Sequence, residues 1–129
     1  MPSKSAKSRR ADLREKTSAR RVAIVAFPGV TLLDISGPAQ VFAELQAIEL
    51  PGASYSLSYL STSGGLVPTD VGMMVNTAPI SSVRPNQVDT LVIPGGPGIW
   101  ELRQDGVLMH WISQALPKAR RVEIGRAHV

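Results

Sequence analysis

Hydrophobic side chains fall along this chain in short blocks separated by proline and glycine, and the spacing inside each block predicts the element it forms. Val22-Ala23-Ile24-Val25-Ala26-Phe27 is an unbroken apolar run, rich in β-branched residues and closed by Pro28-Gly29. A strand buried on both faces has no polar side to show, and such strands belong to parallel sheets covered by helices. Gly37-Pro38 predicts a helix start, because proline in a first turn loses no intrahelical hydrogen bond. Val41, Phe42, Leu45 and Ile48 follow at helical spacing, and Pro51-Gly52 ends the helix. Tyr55, Leu57 and Tyr59 alternate with serines up to Ser61, the pattern of a half-exposed strand. Ser63-Gly64-Gly65 reads as a turn, and Leu66 to Ile80 as a strand or hairpin excursion in which Met73-Met74 packs inward.

Val88-Asp89-Thr90-Leu91-Val92-Ile93 is a second buried-strand signature, ending in Pro94-Gly95-Gly96-Pro97-Gly98. Val107, Leu108, Trp111, Ile112, Ala115 and Leu116 form the apolar stripe of a second helix, which Pro117 stops. Arg121-Val122 opens a third parallel strand. The succession of strand, helix, strand, excursion, strand, helix and strand start predicts an α/β fold. It is the N-terminal part of a doubly wound, mostly parallel sheet sandwiched by helices.

At 129 residues the chain holds one domain, and its 43% apolar content is ordinary for a globular protein. No apolar run approaches the ~18 residues that cross a bilayer, so no membrane contact is expected. No secretory signal is expected either, and with no cysteine there is no disulfide, thiolate metal site or cysteine nucleophile. A cytoplasmic location fits. The sequence pI of about 10.0 suggests nucleic acid until the charge is located. Residues 1–21 carry eight basic and two acidic side chains, whereas residues 22–129 carry six basic and eight acidic ones. The folded body is mildly acidic, and the basicity belongs to a tail over residues 1–20 that has too few apolar groups to order itself. Such a tail attracts polyanions without sequence preference.

In open parallel sheets, ligands bind beyond the carboxyl ends of the strands. Two segments fall there. Phe27 to Pro38 contains one ionisable residue, Asp34, set among apolar neighbours and suited to hold or pass a proton, or else to cap the following helix. In the other segment, Gly95 and Gly96 expose backbone amides suited to an anion or oxyanion, or simply make a strand-to-helix turn. The spacing misses the dinucleotide fingerprint and no P-loop lysine follows. His110 lies off the apolar stripe of its helix as a surface residue, and His128 has no assigned role. No metal and no cofactor are expected.

Taken in order, Arg21 to Gly29, Leu33-Asp34-Ile35-Ser36-Gly37-Pro38-Ala39-Gln40-Val41-Phe42 and Leu91-Val92-Ile93-Pro94-Gly95-Gly96-Pro97-Gly98 closely resemble the landmarks of the ThiJ/PfpI superfamily. This superfamily is class I glutamine amidotransferase-like. Within it the chain is most similar to the N-terminal domains of GlxA-like, AraC-type transcriptional regulators. The resemblance covers residues 21–122 and implies a flavodoxin-like fold. It implies that Asp34 matches the acidic residue that faces the nucleophile in enzymatic members, such as isocyanide hydratases. It also implies that Gly95 and Gly96 line the same pocket, making Asp34, Gly95 and Gly96 the expected ligand-binding residues.

The family's nucleophile sits after the strand that opens at Arg121, as Val-Cys-Thr-Gly in the regulators, which places a cysteine near Arg126. The chain reads Glu123-Ile124-Gly125-Arg126-Ala127-His128-Val129 instead. Arginine stays protonated and is no nucleophile. That heptapeptide equals one reading frame of a common short-read sequencing adapter, so residues 123–129 are expected to be non-native and the parent chain to continue past Val122. The polypeptide as written is therefore expected to lack catalytic activity, to take a small-molecule ligand, and to contact DNA only through a missing C-terminal module. Its parent is expected to be a homodimer. A fragment of a stand-alone hydratase- or amidase-like enzyme is the alternative, and a non-catalytic binding module for a small anionic metabolite a third.

A sheet that ends at a third strand leaves an unpaired apolar edge, and the chain is expected to associate through it. Resequencing the locus is expected to give a different continuation after Val122. Genomic DNA encoding Glu123 to Val129 would refute the adapter origin.

Overall fold

Hydrophobic burial places β1 (Arg20–Val25) at the middle of the sheet, for Val22, Ala23, Ile24 and Val25 are inaccessible to solvent. The computed structural model describes residues 20–48 and 54–125. After β1 come α1 (Leu32–Ala47), β2 (Tyr55–Ser61), β3 (Gly65–Pro68) and β4 (Met74–Pro79). Two short 3₁₀ turns (Ile80–Ser82 and Pro85–Gln87) lead to β5 (Thr90–Ile93), α2 (Ile99–Gln104), α3 (Gly106–Ala115) and β6 (Arg121–Ile124).

The six strands are ordered β3-β4-β2-β1-β5-β6, and all neighbours are parallel except the β3–β4 hairpin. The sequence predicts this doubly wound, mostly parallel α/β architecture, and the structure has it. From β1 the chain moves one way to β2, and from β5 the other way to β6. Right-handed crossovers therefore carry α1 and the α2–α3 pair to opposite faces. The core centres on side chains from β1, β5 and α3, with Leu91, Leu108 and Ala115 fully enclosed, and Ile35, Leu60 and Leu102 join it from α1, β2 and α2. Trp111 closes one side, its indole N–H donating to the Val83 carbonyl at 2.9 Å.

Several local expectations need correction. Strand β1 takes in Arg20, assigned above to the tail, because its N–H donates to the Ser54 carbonyl at 2.7 Å. Helix α1 begins at Leu32, so Pro38 is interior rather than first-turn and has no N–H to give the Asp34 carbonyl. Of the expected apolar stripe, Phe42 and Leu45 pack partly against the core, with Phe42 4.9 Å from the Tyr55 ring, while Val41 and Ile48 are 58% and 61% exposed. In the excursion, a hairpin as expected, Met73 and Met74 lie outside the core at 59% and 51% exposure. The expected second helix is preceded by a short one, α2, and Val107 lies on its solvent side. Readings that fall on residues 1–19, on Pro51-Gly52 and on residues 126–129 lie outside the described residues. Among the described residues no helix is long and apolar enough to cross a membrane.

Asp89 ties three strands together. Its N–H donates to the Arg21 carbonyl at 2.9 Å, its carbonyl accepts from the Arg121 N–H at 3.1 Å, and its carboxylate pairs with Arg120 at 2.9 Å. Partial burial pushes the carboxyl pKa upward. Hydrogen bonds from Arg120 and Thr90, with the charges of Arg120 and Arg20, outweigh that and hold it below the ordinary carboxylate value. A depressed folded-state value stabilises the fold above the unfolded pKa, and the contribution is lost as pH falls through the folded one. Arg120→Ala is therefore expected to lower the urea midpoint at about pH 7 and to shrink its drop between about pH 7 and about pH 3. Urea titrations at both pH values check this, and an unchanged drop would contradict it.

Candidate functional site

β1 and β5 run side by side, and the loops that leave their carboxyl ends, 26–31 and 94–98, meet at the point where the sheet's winding reverses. They meet backbone to backbone. The Thr31 N–H donates to the Gly95 carbonyl at 2.9 Å, and the Gly98 N–H to the Gly29 carbonyl at 3.4 Å. Glycine is what permits this approach. Gly96 holds φ at +132°, and a Cβ there would lie 2.7 Å from the Gly29 carbonyl oxygen and the Thr31 nitrogen. At Gly98 a Cβ would overlap the Pro28 carbonyl oxygen.

The same meeting brings Asp34 to Gly95. Asp34 is half-buried in the first turn of α1, where the helix dipole favours a carboxylate, and its Oδ2 accepts the Gly95 N–H at 2.9 Å. Two of the three residues singled out from the sequence are thus in direct contact, and Gly96 adjoins them. The contact also changes the reading of the turn: the Gly95 amide is already engaged by Asp34, so an anion at that amide would have to displace the carboxylate.

Sequence reasoning missed two contributors. Asp70, at the turn between β3 and β4, accepts the Leu32 N–H with Oδ1 at 3.1 Å, while its own N–H donates to the Val30 carbonyl at 2.9 Å. It fixes the start of α1 from outside, and hence the position of Asp34; no local capping signal at Thr31 reveals it. Gly125 follows β6, and its N–H donates to the Ile93 carbonyl at 2.7 Å. A Cβ on Gly125 would fall onto Asp34 Oδ2 and the Gly95 nitrogen, so its backbone lies against their hydrogen bond as a third side of the corner. The available signal was its place at the carboxyl end of the third parallel strand.

A cleft of about 350 Å³ opens beside this corner, at the ends of β1 and β2. Phe27, Pro28, Thr62, Leu66 and Asp105 line it, and Asp34, Gly95 and Gly96 do not. The Asp105 carboxylate caps α3 through the Leu108 N–H at 3.0 Å and accepts the Thr62 hydroxyl. His110 is exposed on α3, as expected.

Removing the Asp34 carboxylate strands the Gly95 N–H in a half-buried place. Asp34→Ala is expected to cost about 1–3 kcal/mol. Asp34→Asn keeps a carbonyl acceptor and should cost less, near the ~0.3–1 kcal/mol of a helix-dipole charge. Urea unfolding of both variants measures the difference, and equal losses would show that the hydrogen bond is not what holds the loops.

Residues 20–124 match the DJ-1/PfpI family. A Streptomyces lividans protein described as "Uncharacterized protein in cpoL 5'region" is 42% identical over 76 residues, which cover 59% of this chain and 51% of that protein. The chain thus spans about half the length of the curated relative it matches. The crystal structure of a ThiJ/PfpI family protein from Pseudomonas syringae shares the fold with a TM-score of 0.70 at 21% identity, over 83% of this chain and 42% of that one. The crystal structure of an AraC family transcriptional regulator from Pseudomonas putida does so with a TM-score of 0.54 at 18% identity, over 81% of this chain and 80% of that one. Because the family match runs from the first residue of β1 to the last of β6, through both loops of the corner, the chain belongs to the DJ-1/PfpI family.

Proposed function

We propose that this chain is part of the ligand-sensing domain of an AraC-type transcriptional regulator, and that it takes a small molecule at the corner of Asp34, Gly95 and Gly96 without turning it over. The observation that carries the reading is the Asp34 carboxylate on the Gly95 N–H at the point of reversed winding. The likeness to the Pseudomonas putida regulator, over 80% of that chain, supports the regulator branch. In this reading a helix-turn-helix module outside the chain contacts DNA, in the cytoplasm. The parent is a homodimer, because such modules read paired half-sites.

A stand-alone hydratase- or amidase-like parent is the second reading. The position of Gly125 against Asp34 favours it, since a nucleophile just after β6 arrives within reach of that carboxylate.

Amide NMR titration of the 129-residue chain with acetamide and with acetate tests the sensing reading. The sensing reading expects shifts confined to Gly95, Gly96 and Gly125, lost in Asp34→Ala, with no ammonia released from acetamide. Release of ammonia by this chain would decide for the enzyme, and unmoved glycine amides with both probes would remove the site.

A further inference from the structure

The segment that carries the chain from β4 to β5, residues 80–88, lies beside α3 and is tied to it by the bond from the Trp111 indole to the Val83 carbonyl. Between the two a groove of about 300 Å³ opens to solvent, sharing no residue with the Asp34 corner or with the cleft beside it. Buried Ile80, Val83 and Trp111 form its floor, and Val107, 61% exposed, forms its wall. The indole N–H is engaged by Val83, so what Trp111 presents to the groove is ring surface. A second groove of about 410 Å³ adjoins the first, sharing Arg84, Pro85 and Gln114 with it and adding Lys118. Although the body of the chain is mildly acidic, residues 79–88 and 106–118 contain no aspartate or glutamate. Among the described residues the one ion pair joins Arg120 to Asp89, so the charges of Arg84 and Lys118 are both unpaired.

We propose that these joined grooves are a second binding site, for a small amphipathic carboxylate whose hydrocarbon end covers Val107 and the Trp111 ring and whose anionic end meets Arg84. Each half of the site selects against a different class of ligand. An uncharged hydrocarbon would fill the apolar groove and leave the guanidinium unanswered. A small hydrophilic anion would gain only a surface ion pair, which is worth little in water. A molecule with both ends adds burial of exposed apolar surface to a pairing that the planar guanidinium makes through two parallel hydrogen bonds. Lys118 supplies a second positive charge in the groove that holds Arg84, and no carboxylate lines either groove to repel the ligand or compete for the cations. Cationic amphiphiles are disfavoured for the same reason. The apolar groove is large enough for a chain of several carbons, since clefts that hold small molecules begin at about 300 Å³. Because it has no residue in common with the Asp34 corner, either site stands without the other.

Tryptophan fluorescence of the 129-residue chain carrying Trp100→Phe tests this, since Trp111 is then the one tryptophan left. Butanoate, pentanoate and hexanoate are expected to give saturable changes, with the dissociation constant falling about four-fold for each added methylene. Hexylammonium at the same concentrations should have no effect. Arg84→Ala should weaken hexanoate roughly five-fold and leave hexan-1-ol as it was. Amide NMR of the same hexanoate titration should leave Gly95 and Gly96 unmoved, which keeps this site distinct from a ligand at the corner. A chain that responds to none of the three acids would overturn the proposal. So would an equal response to hexylammonium, hexanoate binding indifferent to Arg84→Ala, or shifts at Gly95 and Gly96 in place of a change at Trp111. Should Arg84→Ala fail to fold, the hexylammonium comparison and the chain-length series decide alone.

Discussion

Two loops that carry almost no side chain where they touch hold this structure to its purpose. Adjacent parallel strands are only about 5 Å apart, so when β1 and β5 send their chains to opposite faces, the departing loops must pass within backbone contact. Glycine at 96 and 98 permits that distance, and three hydrogen bonds seal it: Thr31 to Gly95, Gly98 to Gly29, and Gly95 to Asp34. The last of these ties the start of α1 to the opposite side of the winding. A half-buried carboxylate at this place is thus a structural fastener and a chemical group at once.

That double role frames any ligand chemistry. With its N–H given to Asp34, Gly95 is no free anion hole, and an acidic ligand would meet a carboxylate before it met an amide. A neutral ligand with both a donor and an acceptor, such as an amide, suits the corner better. It can donate to the carboxylate while accepting from a neighbouring glycine amide. Of the two probe types, the physics favours the amide over the acid.

Legibility in the sequence follows how locally each feature is determined. The buried blocks at 22–27 and 90–93 declare themselves because a strand covered on both faces needs only apolar residues, and the sheet order follows from crossover handedness. Asp34 with Gly95 and Gly96 was legible through a family resemblance, whereas the hydrogen bond from the Gly95 N–H to the Asp34 carboxylate was not. The start of α1 was not legible, because Asp70, 38 residues away from Leu32, supplies the acceptor that a local cap would. Pro38 misled for the same reason: a proline normally read as a first-turn residue sits in an interior that non-local contacts sustain. The outward Met73 and Met74 lie on a hairpin that touches the sheet along one strand only, where apolar character does not dictate burial. Gly125 could not be weighed without knowing that β6 ends beside Asp34.

Strand β6 links the site to the edge. Gly125 lies against the Asp34–Gly95 bond because β6 is paired to β5, its one neighbour among the described residues. A four-residue strand held on one side, with both faces in solvent, is the least constrained part of the sheet, and local opening begins in such segments. The third side of the corner is therefore its softest.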